Sequence, residues 1–151
     1  MHYEHTQPAH LIRIAMLVSL AAVFVTAALV PDIEDTAWLR GVVTASLVGV
    51  FVIIAAVFWS MTVTVTGEAL AWHFGLGLMR KSVPLAEIES CGPTQTSFWN
   101  GWGIHWSPRG WVYNVSGFGA VEVRLKSGKA FRLGTDEADA LAEAIRDALG
   151  Q

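Results

Sequence analysis

The sequence has few charged residues and a single cysteine. Of its 151 residues, 15% are Asp, Glu, Lys or Arg and 53% are hydrophobic, whereas a typical soluble domain has roughly 25% charged residues. This composition excludes a disordered chain, a basic nucleic-acid-binding protein and a soluble enzyme with an ordinary charged surface. The net charge of -3 is too small to steer a charged partner. Because Cys91 is alone, an internal disulfide and a cysteine-based metal site are also excluded.

Charge is absent above all from two long runs. Residues 14–30 hold no charged side chain, and residues 41–61 hold none either. Each run approaches or exceeds the ~20 residues with which a helix crosses the ~30 Å hydrocarbon core of a bilayer. A cleaved signal peptide is the alternative for the first run, but the run is longer than a typical signal-peptide core and only Arg13 precedes it. The predicted segments are an N-terminal tail at 1–10, a membrane span at 11–30, a loop at 31–40, a second span at 41–61 and an extramembrane domain at 62–151.

The charges around the two spans predict which side of the membrane each end faces. Residues 31–37 hold three acids and no base, whereas Arg13, Arg80 and Lys81 lie beyond the opposite ends of the spans. By the positive-inside rule we expect a multi-pass protein of the cell inner membrane with both termini in the cytoplasm. Arg40, which follows the acidic loop, favours the opposite orientation.

Aromatic and small residues mark the ends and one face of the spans. Guanidinium groups and indole rings favour the membrane interface, so the expected anchors are Arg13, Trp38 and Trp59. In the second span a narrow stripe of small residues recurs every four positions: Gly41, Ala45 and Gly49. Such a stripe lets another helix approach closely. The first span is the favoured neighbour because a short loop makes the two spans antiparallel, and a second copy of the chain is the alternative.

After residue 61 the hydrophobic pattern changes from helical to alternating, which predicts a strand-rich domain. A hairpin is clearest where apolar residues alternate with charged ones on both sides of Ser127-Gly128. The chain closes with an amphipathic helix whose N-cap is expected at Thr135. The predicted strands are 62–66, 69–74, 78–85, 86–90 with an interruption at Gly92-Pro93, 110–116, and the hairpin strands 121–125 and 131–133.

Together, the two spans, the six or seven strands and the terminal helix resemble the bacterial pleckstrin-homology-like membrane proteins. The resemblance rests on Val63-Thr64-Val65 leading to Phe74-Gly75, on Ser82 to Ile88 with its Pro84-Leu85 turn, and on the hairpin at 121–133 followed by Gly134-Thr135-Asp136. It implies an α+β fold in which a strongly bent antiparallel sheet, or partly open barrel, is capped at one end by the C-terminal helix. It implies no reaction, and it points to a membrane-tethered binding or scaffold module.

Residues 98–111 hold four of the seven tryptophans, among glycines and a proline. Loops rarely carry so many large apolar rings without a surface to bury them against. As a binding loop, the segment would insert its rings into lipid headgroups or a partner protein, with an arginine contacting phosphate or carboxylate and a histidine as a polar tip. As the alternative, it would fold back and plug the barrel. The candidate binding residues are Trp99, Trp102, His105, Trp106, Arg109 and Trp111.

Other candidate sites are weaker. His2, His5 and His10 lie in the terminal stretch, where a solvated tail is expected rather than a metal site. A set of basic residues is expected on the solvated outer face of one hairpin, with anionic lipid as the alternative ligand: Arg124, Lys126, Lys129 and Arg132. The sequence shows no nucleophile–base pair, no paired carboxylates and no metal motif. We therefore expect neither an enzyme nor a cofactor.

These features predict a non-enzymatic integral membrane protein whose domain binds a protein or lipid partner at the cytoplasmic membrane surface. The alternative is a small structural or accessory subunit of a larger membrane complex, in which the helical hairpin packs on a partner. A homo-oligomer formed through the second span is a further possibility for the partner. Nucleic acid is not an expected partner.

Overall fold

The computed structural model describes residues 2–29, 37–96 and 103–150. Within them lie three α-helices: α1 His10–Leu29, α2 Ala37–Phe58 and α3 Ala138–Leu149. The strands are β1 Tyr3–Pro8, β2 Ser60–Val65, β3 Ala69–Phe74, β4 Met79–Pro84, β5 Ile88–Gln95, β6 Gly103–Ser107, β7 Gly110–Asn114, β8 Gly119–Leu125 and β9 Ala130–Gly134.

The two predicted spans are helices, and each is long and apolar enough to cross a membrane. Neither helix has a buried residue in the isolated chain. The helix bounds differ by a few residues from the predicted span bounds. Helix α2 starts at Ala37, inside the predicted loop, and ends at Phe58. It ends there because the next residues already belong to β2, which pairs with β1 from Ser60 onward and carries Met61 into the core.

The N-terminal stretch is a strand and not a solvated tail, which corrects the sequence interpretation. β1 pairs antiparallel with β2 from Tyr3↔Val65 to Pro8↔Ser60. Two side chains tie it to the domain. Gln7 is buried and donates a 2.8 Å hydrogen bond from Nε2 to the Ser116 carbonyl oxygen, and the Thr6 hydroxyl lies 2.8 Å from that of Thr62. Residues before α1 and after α2 therefore belong to one folded unit.

The domain consists of two sheets and α3 around one hydrophobic core. The first sheet has the order β1-β2-β3-β4 and the second β5-β8-β9-β7-β6. Trp72 from the first sheet stacks on Phe131 from the second, with ring centres 5.0 Å apart, and lies equally close to Tyr113. α3 covers the same core with Leu141, Ala142 and Ile145, as its amphipathic pattern predicted.

One strand pair departs from the expected antiparallel arrangement. β9 pairs with β7 in parallel and with β8 antiparallel. The hairpin of β8 and β9 brings β9 back between β8 and β7, so β9 runs in the same direction as β7.

Strand β5 runs through Gly92-Pro93, where an interruption was expected. Because β5 is an edge strand of its sheet, the missing amide hydrogen of Pro93 is tolerated there.

The small-residue stripe on α2 does not receive α1, contrary to the favoured prediction. Among the described residues, no atom lies within 4 Å of a Cβ built at Gly41 or at Gly49. Ala45, between them, is exposed. The residues of α2 that line the groove against α1 are different ones: Val48, Phe51, Val52, Ala55 and Phe58.

Candidate functional site

The second half of the tryptophan-rich segment is a β-hairpin. β6 and β7 pair antiparallel from Gly103↔Asn114 to Ser107↔Gly110. The Ser107 hydroxyl donates a 2.8 Å hydrogen bond to the Gly110 carbonyl oxygen and accepts one of 3.3 Å from the Arg109 amide. A tight turn is favoured by the sequence Ser107-Pro108-Arg109-Gly110, which has serine first, proline second and glycine fourth. This spacing was a sequence signal for the hairpin that the loop interpretation missed.

Two tryptophans face each other near the tip of this hairpin. Trp106 and Trp111 are cross-strand partners, and their rings meet edge to face with centres 5.7 Å apart. Trp106 is 67% exposed and Trp111 is 45% exposed. The plug interpretation is therefore wrong for these two rings. Trp99 and Trp102 lie outside the described residues.

The exposed pair continues the core face of its sheet. Side chains two residues apart on a strand share a face, so Trp111 lies on the same side as the buried Tyr113. Lys81 of β4 borders this face, since its ammonium donates a 2.8 Å hydrogen bond to the Tyr113 hydroxyl and lies 5.8 Å from the centre of the Trp111 ring. Lys81 was not among the predicted binding residues, and no local pattern connects it with a strand about 30 residues later. We call Lys81, Trp106 and Trp111 the tryptophan face.

His105 does not form the expected polar tip. It is the cross-strand partner of Val112 and points to the sheet face opposite Trp106. Both ring nitrogens are buried, and neither has a hydrogen-bond partner among the residues that the structure describes. Burial also lowers the pKa of His105 below its ordinary value of 6.5, because the charged ring loses hydration. Arg109 lies in the turn and is exposed, as a binding residue requires.

A second group of predicted residues meets where the helices join the domain. The guanidinium carbon of Arg13 lies 3.9 Å from the centre of the Trp59 ring, and Nη2 of Arg13 donates a 2.9 Å hydrogen bond to the Trp59 carbonyl oxygen. Trp59 is 53% exposed, and Trp38, at the other end of α2, is 70% exposed. The two indole rings therefore bracket α2 as the sequence predicted.

The turn between β3 and β4 also lies at this junction and was not predicted as a surface feature. The Gly75 amide donates a 2.8 Å hydrogen bond to the Ser60 carbonyl oxygen, and its α-carbon lies against the backbone of Ala56 at the end of α2. In the same turn Leu76 is 76% exposed and Leu78 is 72% exposed. An apolar turn thus lies beside the last turn of α2.

The tryptophan face lies away from this junction. A Cβ built at Gly103, the first residue of β6, would lie 4.0 Å from the Phe58 ring at the end of α2. Trp106 is three residues further along the strand, a distance of about 10 Å at ~3.3 Å per residue. The hairpin therefore starts at α2 and carries the tryptophan pair to its far end.

The expected basic hairpin face is only partly present. Arg132 is buried, and its Nη2 lies 2.9 Å from Oε2 of the cross-strand residue Glu122. Burial raises the pKa of Glu122, but hydrogen bonds from Arg132 and Arg124 outweigh it and hold the pKa below its usual value. Three bases of the predicted set remain exposed: Arg124, Lys126 and Lys129. Arg132 instead stabilises the second sheet.

The N-terminal histidines also differ from expectation. Nε2 of His5 lies 2.7 Å from Asp136 Oδ1, and Nδ1 lies 3.3 Å from Glu137 Oε2. These contacts join β1 to the residues before α3. Within residues 2–29, 37–96 and 103–150, no cluster of histidine, cysteine and acidic side chains is arranged to hold a metal ion.

No protein-family model matches the chain, and no curated protein matches it either.

Proposed function

We propose that the chain is a non-enzymatic integral membrane protein whose domain binds a protein partner through the tryptophan face, at the cytoplasmic surface of the inner membrane. The observation that carries the proposal is the edge-to-face pair of Trp106 and Trp111, which is exposed on a rigid hairpin. Aromatic rings dominate the binding energy of protein interfaces because they bury a large area at low entropic cost.

Membrane embedding is supported by the surfaces of α1 and α2. Both helices are apolar all round and expose large side chains such as Leu17, Phe24 and Ile53, each more than half exposed. Water solvates such apolar surfaces poorly, whereas the hydrocarbon core of a bilayer solvates them well. The pairing of β1 with β2 supports placing both ends of the hairpin on one side of the membrane. The acidic loop favours the outer side for the connection and the cytoplasm for the domain.

The position of the tryptophan face favours a protein over lipid headgroups as its ligand. The headgroup region adds only about 5–7 Å beyond the hydrocarbon core on each side. Lys81, which lies beside Trp111, is level with Val63 in the register of the first sheet. Val63 is three residues beyond the start of β2 at the end of α2, a distance of about 10 Å along the strand at ~3.3 Å per residue. Lys81 and Arg109 add positive charge at the rim, which suits an acidic or carbonyl-rich surface on the partner.

The pleckstrin-homology-like fold is part of the proposal. It is supported by strands that surround one core and by a C-terminal helix that packs on that core through Leu141 and Ile145. The added strand β1 and the parallel pair of β7 and β9 are two features that an antiparallel bent sheet does not include. The proposed function rests on the tryptophan face and does not depend on this fold assignment.

A second function is favoured by a different observation. The stripe of Gly41, Ala45 and Gly49 is open, since no described atom lies within 4 Å of a Cβ built at either glycine. A helix of a larger membrane complex, or of a second copy of the chain, would pack closely against such a stripe. The protein would then be an accessory subunit held by α2.

Photo-crosslinking in intact cells distinguishes the two functions. A benzophenone amino acid replaces Trp106 in one variant, Ala45 in a second and the exposed Lys129, in the turn between β8 and β9, in a control. Our proposal predicts one discrete protein adduct from position 106, with no matching adduct from position 129. An adduct from position 45 alone would favour the accessory subunit and contradict binding through the tryptophan face.

A further inference from the structure

A groove between α1 and α2 ends at the stacked pair of Arg13 and Trp59. We propose that this groove binds one phospholipid, with the lipid phosphate at the Arg13 guanidinium and one acyl chain between the helices. The inference rests on the proposed membrane embedding, but it concerns a different ligand and a different surface from the tryptophan face. Anionic phospholipids are the expected class, because the site contributes a cation.

The groove has the shape and chemistry of a chain-binding site. Its volume is about 240 Å³. Apart from Arg13, its walls are apolar and include Leu17 and Leu20 from α1 and Val52 and Ala55 from α2. From Arg13 to Leu20 the helix rises about 10 Å, which is about two-thirds of the ~15 Å hydrocarbon thickness of one leaflet. An apolar cavity of this kind is not filled by ordered water, so an acyl chain is the fitting occupant.

No described residue supplies a counter-charge to the guanidinium at the end of the groove. Nη2 of Arg13 donates to the Trp59 carbonyl oxygen, and Nε is buried without a partner. Within the part of the chain that the structure describes, no carboxylate lies within ion-pair distance of Arg13. The Trp59 ring orients the guanidinium from one face but supplies no negative charge.

A phospholipid matches both the charged end and the apolar walls of the groove. Its phosphate oxygens supply the negative charge that an arginine binds well, and its acyl chain continues into the apolar groove. An apolar helix of another protein would fill the groove but leave the charge of Arg13 uncompensated. The headgroup depth of a phospholipid also matches the position of Trp59, since indole rings favour the membrane interface.

Native mass spectrometry of the full chain tests this inference. The protein is purified in mild detergent and supplied with palmitoyl-oleoyl phosphatidylglycerol or with the phosphatidylcholine of the same chains. We expect one retained phosphatidylglycerol per chain and weaker retention of phosphatidylcholine. The charge variant is Arg13→Gln, with Arg146→Gln, at an exposed position of α3, as its control. The groove variant is Ala55→Phe, which fills the groove, with the exposed Val43→Phe as its control.

Arg13→Gln should lower the apparent affinity for phosphatidylglycerol about fivefold, as expected for one base near an anionic lipid. Ala55→Phe should lower the retention of both lipids because it occupies the acyl site. The two controls should retain lipid like the original chain. If Arg13→Gln and Ala55→Phe both retained lipid as well as the original chain, or if the original chain retained no lipid, the inference would be overturned.

Alkaline carbonate extraction of cell membranes separates this outcome from failure of the proposed function. If the chain remains in the membrane pellet but fails the lipid test, only the lipid site is contradicted. If carbonate releases the chain, both membrane embedding and the lipid site are contradicted.

Discussion

The Arg13 guanidinium stacks on the Trp59 ring at 3.9 Å, although 46 residues separate the two in the chain. Next to them, the Ala9 amide donates a 3.1 Å hydrogen bond to the Trp59 carbonyl oxygen. α1 and α2 therefore leave the domain side by side and continue directly into β1 and β2. Because no flexible linker intervenes, the orientation of the domain relative to the helices is set by direct contacts.

Gly75→Ala tests the contact between the domain and α2. Gly75 has φ of +46°, and a Cβ at this position would overlap the Ala56 carbonyl oxygen. We expect the substitution to lower the free energy of unfolding by about 1–3 kcal/mol through backbone strain alone, with the overlap adding to the loss. Gly67→Ala is the matched control, since nothing lies within 4 Å of a Cβ there. Equal thermal stability of the two variants in detergent would show that the turn does not lie against α2.

Gln7→Ala tests whether β1 is part of the folded domain. The side chain is 4% exposed, and its hydrogen bond to the Ser116 carbonyl oxygen links β1 to the connection between β7 and β8. Removing it takes a hydrogen-bond donor away from this part-buried carbonyl oxygen, which should lower the free energy of unfolding by about 0.5–1.5 kcal/mol. Glu4→Ala, at an exposed position of the same strand, should change it by less than about 0.5 kcal/mol. Identical melting curves for both variants would indicate a solvated N-terminal tail.

His105→Phe should change how stability depends on pH. Burial lowers the folded-state pKa of His105 below 6.5, so the unfolded chain binds its proton more tightly than the folded chain. The resulting penalty is absent above about pH 6.5 and grows as the pH falls below that value. The variant should lose this part of the slope below about pH 6.5. It should also gain about 1–2 kcal/mol of unfolding free energy, because two buried ring nitrogens with no described partner are removed.

Chemical denaturation at a series of pH values measures both effects. The pH dependence due to Glu122 is common to the two proteins and lies lower, because its stabilising ionised form is lost only as the pH falls below about 4.5. Parallel stability curves for the original chain and His105→Phe between pH 5 and 7 would contradict burial of this ring.

Cysteine labelling tests the orientation in the membrane. Cys91 is replaced by serine, and single cysteines are introduced as Thr36→Cys or Ser127→Cys. An impermeant maleimide added to intact cells should label the first and not the second, since the acidic connection is proposed outside and the domain inside. Labelling of Ser127→Cys from outside would place the domain on the outer face. Permeabilised cells provide the control, because both cysteines should react there.

Regular patterns in the sequence predicted the elements that depend on local chemistry. The pattern of Val121, Val123 and Leu125 around a Ser-Gly turn predicted the hairpin of β8 and β9, which is confirmed. The spacing of Leu141 and Ile145 predicted the buried face of α3, which is also confirmed. The span lengths predicted two long helices, although their ends are set by strand pairing and shifted accordingly.

Other elements depend on contacts that no local pattern encodes. The side chains of β1 that face the domain include the polar residues His5 and Gln7. A search for alternating hydrophobic residues therefore does not detect this strand. Lys81 joins the tryptophan face only because β4 lies beside Tyr113. Arg132 was expected in solvent because an alternating strand pattern does not show that Glu122 would lie opposite it.

Photo-crosslinking tests binding through the tryptophan face. A benzophenone amino acid replaces Arg109, which lies between the two tryptophans in sequence. The yield of the protein adduct is then compared between the otherwise unchanged chain and the double variant Trp106→Ser/Trp111→Ser. Since Trp106 is 67% exposed and Trp111 is 45% exposed, the double variant should keep its melting temperature within a few degrees. We expect the protein adduct to fall at least tenfold, because each lost ring contact costs about 1–3 kcal/mol of burial. An undiminished adduct, or a collapse of the melting temperature, would show that these tryptophans serve the fold and do not bind a partner.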